Sequence, residues 1–422
     1  MQGVLNYNEE QRDFLQGVHG EAAAMAMRIL SDMARVEGVR DFVAVTSAHV
    51  DGCVYHGDTG CYFAEKLASA GARVRIPTSL NVGAMDLRQP SNVLLEGATR
   101  DLAIRQMNAY VAMGCTPSWT CAPYQAGFRP SPGEQVAWAE SNAVVFANSV
   151  LGARSNRYGD FLDICCAITG YAPNSGLHRP ENRLATLVID ASGLSRSLKK
   201  RDDFYPVLGW WLGHTVGAKV AAIVGLPLDV SEDRLKALGA AAASTGAVGL
   251  FHVVGVTPEA PTLERALGGA EAVKRIVLNR EILLDTHRRM SPAGDEQLDV
   301  VALGSPHFSI SEFKVLLGLL KGRKAAIPIY VCTGRHVIDE LGPLGLLNGL
   351  DASNITVVAD TCVVVTPVLS SDGGVLMTNS GKFAHYGKSL TGHDVVFGSL
   401  EECVNSAIAG RVIRDKAAWG VA

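Results

Sequence analysis

The amino-acid sequence predicts an α/β protein of several domains with largely parallel sheets. Short apolar runs of strand length alternate with helix-length segments, a pattern that places helices on both faces of parallel sheets. At 422 residues the chain exceeds what one hydrophobic core organises, so two or three domains are expected. With 48% hydrophobic and 19% charged residues it can bury such cores and is not disordered.

Taken in order, Asn8 is placed to cap an opening amphipathic helix ahead of Glu9 and Glu10, and an Ala-rich helical run follows over 21–35. A buried strand over 42–45 then ends at Thr46-Ser-Ala-His49, where open α/β sheets put their ligands. A helix over about 64–70 and a strand over 74–76 lead into a second polar, Gly-containing loop, Pro77-Thr-Ser-Leu-Asn-Val-Gly83. The Pro-broken stretch 114–124 carries Cys115 and Cys121 and enters Trp138-Ala-Glu-Ser-Asn-Ala143. From Leu184 the alternation becomes regular, with strands expected over 185–189, 220–224, 249–254, 300–303, 327–331 and 355–358 and helices over 232–243 and 311–320. The Gly/Pro-rich stretch 255–261 and the polar run 288–297 are candidate boundaries. The division expected is 1–200, 201–295 and 296–422, each region α/β.

Composition excludes several functions. A net charge of −4 gives no electrostatic reason to expect nucleic acid or an anionic membrane as partner. The start lacks the basic flank and apolar run of a secretory signal, and no stretch reaches the roughly 18 apolar residues of a membrane helix. A cytoplasmic location follows as the expectation, with nine cysteines kept reduced. There is no CxxC pair, no GxGxxG or P-loop spacing, no HExxH and no GxSxG elbow.

What remains is a scatter of thiols and polar strand ends. Thiols beside prolines at Cys115 and Cys121, with Cys165, Cys166 and Cys362 far away in sequence, suit an iron–sulfur cluster whose ligands come from separate parts of the fold. Gly304-Ser-Pro-His307 and Asp360-Thr-Cys362 each follow an expected strand, so Ser305, His307 and Cys362 face one crevice if those strands share a sheet.

At these residues the chain resembles the large, catalytic subunit of the aconitase X family over nearly its whole length. The matching stretches include Ser47-Ala-His-Val-Asp-Gly52, Pro77-Thr-Ser-Leu-Asn81, Thr120-Cys-Ala-Pro-Tyr124, Ala137-Trp-Ala-Glu-Ser141, Ala147 to Arg157, Ala167-Ile-Thr-Gly170, Gly304-Ser-Pro-His307, Asp360-Thr-Cys362 and Asn379-Ser-Gly-Lys382. The resemblance implies an aconitase-like fold, several α/β/α domains with largely parallel sheets around a central cleft, and dehydratase chemistry on an iron–sulfur cluster. In the archaeal branch, which dehydrates 5-phosphomevalonate, three cysteine ligands fall at Cys121, position 305 and Cys362. Here position 305 is Ser, a poor cluster ligand beside a thiolate, whereas the bacterial branch carries a cysteine in Asp163-Ile-Cys-Cys-Ala167. The implied ligands are therefore Cys121, one of Cys165 and Cys166, with Cys165 preferred, and Cys362. The cluster implied is 2Fe–2S in preference to 4Fe–4S, and the substrate is cis-3-hydroxy-L-proline.

Carried over position by position, Gly52, Cys53 and Val54 with Asn81 and Val82 resemble the family's substrate loops. Their backbone amides are expected to hold a carboxylate. Arg154, Arg157 and Lys382 are candidates for that anion, Ser305 for substrate contact, and Glu140, His49, His307 and Lys382 for proton handling. The family also uses a small swivelling domain that bears a catalytic Ser, fused or as a separate subunit. Nothing past Val412 is long enough to be it, so a small partner subunit or a larger parent protein is expected. Two other readings remain open: dehydration of a phosphorylated hydroxy acid such as 5-phosphomevalonate, and a non-enzymatic iron–sulfur redox or sensor protein.

Overall fold

A computed structural model describes residues 4–292, 297–370, 373–415 and 419. They form two compact units. One takes in the chain up to Met85 and Leu95–Leu184, the other Asp86–Leu94 and the chain from Ala185 onward. Both are mixed α/β with parallel sheets.

In the first unit the helix Glu9–Leu15 starts at Asn8, whose side chain accepts from the Gln11 amide while Gln11 returns the bond. The helix Glu21–Val36 buries Ala22, Met27 and Leu30 on one face. The strand expected over 42–45 is shorter and less buried than its apolar sequence suggests. Phe42–Ala44 pairs antiparallel with Tyr171–Pro173 in a two-stranded sheet, so one edge and part of each face stay open.

The sheet that matters is the next one. Ala48–Val50 lies between Thr78–Leu80 and Ala137–Trp138, all parallel and all buried. His49 is thus a strand residue rather than a loop residue. The strand expected over 74–76 also moves, because the Pro77 carbonyl accepts from the Ala48 amide and the ladder starts only beyond it, while the Val74 amide bonds to Met113. The neighbouring helix begins at Asp58 rather than near 64 and packs against Gly97–Ala112, which the sequence reading left unassigned.

In the second unit five parallel strands run in the order Ile355–Ala359, Ile329–Thr333, Val300–Leu303, Val375–Thr378, Asp394–Phe397. Val301, Leu303, Ile329 and Val331 bury against Phe313 and Leu316 of the helix Ile310–Leu320. A second parallel sheet runs Phe251–Val253, Ala221–Val224, Leu187–Asp190, Lys274–Val277. The stretch 255–261 is a turn between two strands of that sheet, closed by the Gly255 amide on the Ala260 carbonyl. Lys274–Val277 escaped the sequence reading because it is a largely exposed edge strand without an apolar run.

The helices Phe204–Val216 and Glu232–Gly246 meet backbone to backbone. A Cβ at Gly246 would lie 1.9 Å from the Gly213 carbonyl oxygen, so only glycine fits. Among the described residues no helix is long and apolar enough to cross a membrane.

Candidate active site

In the first unit the loop leaving Ala48–Val50 is held from every side. Asp163, fully buried at the start of the helix Leu162–Thr169, accepts from the amides of Asp51 (2.6 Å) and Gly52 (3.2 Å). Gln106, from the helix Gly97–Ala112, donates to the carbonyls of Gly52 (2.7 Å) and Val54 (3.1 Å). The buried Cys53 thiol donates to the Val50 and Asn81 carbonyls, 3.4 Å each, and so ties this loop to the one leaving Thr78–Leu80. The Asn81 side-chain amide completes the tie by donating to Asp51. A Cβ at Gly52 would sit 2.8 Å from the Tyr110 hydroxyl, so a larger residue there must displace that side chain.

His49 and Glu140 sit beside these loops. The Ser79 hydroxyl donates to the Ala48 carbonyl, so it accepts from His49 Nδ1 at 2.8 Å and leaves His49 Nε2 as a bare acceptor without a partner. Burial holds His49 down at about 4, against the opposing pull of Glu140, so the ring is neutral. Glu140 is buried and caps the helix Ser141–Phe146, accepting from the Ala143 amide at 2.7 Å and from Ser141 Oγ at 3.1 Å. A carboxylate at a helix N-terminus is stabilised in its charged form. Two residues on, Asn142 donates to the Cys121 carbonyl at 3.0 Å and fixes the Cys121 loop to the same helix. The helix continues into a π-helical turn, Ala147–Leu151.

Asp51 and Asp163, both missed by the sequence reading, are acids of the unit whose pKa is raised. Burial pushes Asp51 up to about 8, with Glu140 and Asp160 adding repulsion, and burial pushes Asp163 up to about 6 against its amide donors. The signal was present for Asp51, which stands inside the Ser47–Gly52 stretch that carries the family resemblance, whereas Asp163 opens the segment noticed for its thiols alone. Gln106 and Tyr110 had no such signal.

The nine cysteines are all free thiols and all buried. Cys165 and Cys166 diverge as adjacent helical residues must. Cys165 acts on Tyr110, which borders the Gly52 loop, whereas Cys166 acts on Tyr158, with Glu37 near both. Val54 and Val82 are buried beneath the loops. Arg154 is half-buried, with its amide on the Glu134 carbonyl, and Arg157 is exposed. The expected role of the loop amides is narrowed, because those of Gly52, Val54 and Asn81 already bond to Asp163, Asp51 and Val50.

In the second unit the carboxyl ends of the five-stranded sheet present Gly304–His307, Asp360–Cys362 and Asn379–Lys382 along one edge. Fully buried His307 donates from Nε2 to the Thr361 carbonyl at 3.1 Å and ties the first two loops. Ser380 donates to the Ser305 carbonyl and ties the first to the third. Gly304 has φ +90 and its absent Cβ would lie 2.0 Å from the Cys332 carbonyl oxygen. Asp360, in a left-handed conformation, is gripped by Arg335 through two 2.8 Å bonds just ahead of Cys362. A small pocket is lined by Ser305, Asn379, Lys382 and the buried Lys236, which pairs with Glu312 at 2.5 Å and Asp233 at 2.9 Å. His307 is thus a structural tie at Nε2, and Lys382 and Ser305 share a pocket.

Cys121 and Cys165 in the first unit, and Cys362 in the second, are each buried, unoxidised thiols, soft donors of the kind an iron–sulfur cluster takes. Burial, with Asp163, raises the Cys165 thiol; a bound metal ion would lower it through its charge. Among the described residues no group of three His, Cys, Asp or Glu gathers into a metal site of its own.

Three descriptions of one family match in succession: the first domain of aconitase X over residues 4–181, the second over 185–288 and the third over 298–409. The chain belongs to the aconitase X family. A crystal structure of Thermococcus kodakaraensis aconitase X in its holo-form superposes with a TM-score of 0.85 at 31% identity, over 96% of this chain and 100% of that one. Among curated relatives, cis-3-hydroxy-L-proline dehydratase of Pseudomonas aeruginosa is 43% identical over 96% of this chain and 70% of its own length. The enzyme of the same name from Hypocrea jecorina is 43% identical over 94% and 67%. The phosphomevalonate dehydratase large subunit of Methanothermobacter thermautotrophicus is 36% identical over 94% and 97%. These relatives are dehydratases, and the chain is an enzyme of the same hydro-lyase class.

Proposed function

We propose that this chain is the iron–sulfur portion of a dehydratase that converts cis-3-hydroxy-L-proline to 1-pyrroline-2-carboxylate. The observation that carries the reading is the 43% identity to two such dehydratases over nearly the whole chain, against 36% for the phosphomevalonate relative. Ser305 in place of a thiol and the thiol pair Cys165-Cys166 support the same branch. Cys121, Cys165 and Cys362 are the ligands in this reading, with Cys165 favoured over Cys166 by its side of the helix, next to Tyr110 and the Gly52 loop. The cluster is assigned as 2Fe–2S in preference to 4Fe–4S. When bound, it supplies a Lewis acid for the departing C3 hydroxyl.

The rest falls to the protein. Loss of water removes the proton at C2 and hydroxide from C3, giving an enamine that tautomerises to the pyrroline. Glu140, oriented by the Ala143 amide that donates to it, is the base assigned to the C2 proton. His49 Nε2 is a second acceptor beside it. Lys382 and Ser305, sharing one pocket, are assigned to substrate anion and hydroxyl contacts, and Arg154 and Arg157 to the anion. A small swivel-domain subunit, or the same domain in a longer chain, supplies the catalytic Ser. The free thiols suit the reducing cytoplasm.

The phosphomevalonate reading keeps one specific support: this chain spans 97% of that large subunit but only 70% of the Pseudomonas enzyme. Anaerobic purification with the small partner, iron and sulfide analysis, and assay on both substrates separates the two. Pyrroline formation is expected, with iron lost in Cys121→Ala, Cys165→Ala and Cys362→Ala and retained in Cys166→Ala. Consumption of 5-phosphomevalonate alone overturns the substrate, and full activity without a partner overturns the need for one. A cluster with four protein ligands, indifferent to hydroxyproline, points to the redox or sensor reading.

A further inference from the structure

We propose that Asp51, with the Asn81 side chain that donates to it, seats the cationic ring nitrogen of a cyclic secondary amino acid. This rests on the substrate reading above and adds to it the residues that select an amine.

The Gly52 and Asn81 loops are rich in acceptors. Their Gly52, Val54 and Asn81 amides are consumed internally, as is the Asn81 side-chain NH2 by Asp51. Asn81, only 3% exposed, keeps its side-chain oxygen without a partner, and that oxygen belongs to the very amide fixed on Asp51. Asp51 as a residue is half-buried rather than sealed in the core. A secondary ammonium carries two N–H donors. One meets the carboxylate of Asp51 and the other the orphaned Asn81 oxygen, a charge-assisted pair of bonds.

Electrostatics agree with a cation. The charged groups that act on Asp51 are Glu140, capping the helix Ser141–Phe146, Asp160, and Asp163 on the helix Leu162–Thr169, all of them carboxyls. On its own loop stands the Cys53 thiol, and on its own strand the neutral His49. Such a set needs either protons or a bound cation. The free site takes a proton on Asp51, and a ring ammonium replaces it. Binding therefore releases the Asp51 proton to solvent, and affinity rises with pH until about 8, where Asp51 is ionised beforehand.

The test is calorimetry on the chain with its partner, using L-proline, which lacks the hydroxyl to be lost, and tetrahydrofuran-2-carboxylate, in which oxygen replaces the ring nitrogen. Titrations in two buffers of different ionisation enthalpy count protons. Close to one proton released per proline at pH 7 is expected, with the oxygen analogue weaker by about ten- to a hundred-fold. Asp51→Asn, of the same shape, abolishes the proton release. If cis-3-hydroxyproline turns over while the oxygen analogue binds as tightly as proline, or if Asp51→Asn releases the same proton, the seat falls and the substrate reading stands. If 5-phosphomevalonate turns over and neither ring compound binds, both fall.

Discussion

Asp163→Ala removes the acceptor on which the Asp51 and Gly52 amides close, at 2.6 and 3.2 Å. Asp163 and Gly52 are buried, so water does not replace it. Each buried amide left without an acceptor costs about 1–3 kcal/mol, which makes roughly 2–6 kcal/mol for the two. Alanine also relieves the burial that holds the Asp163 carboxyl up at about 6, and this trims the loss toward the low end, about 2 kcal/mol. Asp163→Asn keeps an oxygen to accept the loop amides and should lose less than half as much. Urea unfolding followed by the fluorescence of buried Trp119 and Trp138 in the same unit reads the difference. An alanine variant within about 0.5 kcal/mol of the parent, or an asparagine variant as damaged as alanine, refutes the argument that the carboxyl is there to hold the loop.

Gly52→Ala puts a methyl group 2.8 Å from the Tyr110 hydroxyl and should raise KM by about tenfold or more. Adding Tyr110→Phe removes the clashing atom and should recover most of that loss; a double variant no better than the single speaks against a steric cause. Lys236→Met leaves Glu312 and Asp233 without their buried cation and the His307 carbonyl without its 3.3 Å donor. It should cost about 3 kcal/mol in thermal unfolding, and a near-neutral variant would show the pair to be dispensable.

The pattern of apolar runs was enough to locate six of the second unit's strands, because a parallel strand covered on both faces must be apolar throughout. It failed at Lys274–Val277, an exposed edge, left Val375–Thr378 and Asp394–Phe397 unassigned, and missed at residues 74–76, where apolar Val74 and Ile76 precede a proline and the ladder begins beyond it. Motif matching singled out Cys121, Glu140 and Lys382 as candidates but passed over Asp51 and Asp163, whose neighbours looked more reactive. Their unusual titration comes first from burial and then from carboxyls brought near by packing, Glu140 and Asp160 against Asp51 and Asp160 against Asp163, none of which is written in local sequence.

What the sequence by itself determined is the family, the α/β class and the inventory of thiols, since these depend on residue identity and order. Only the tertiary structure decided that His307 spends its Nε2 on a loop tie and that the loop amides are already committed. Hydrogen-bond commitment and dielectric surroundings are set by residues that meet through packing across tens to more than a hundred positions, as Asp163 meets Asp51 and Gly52.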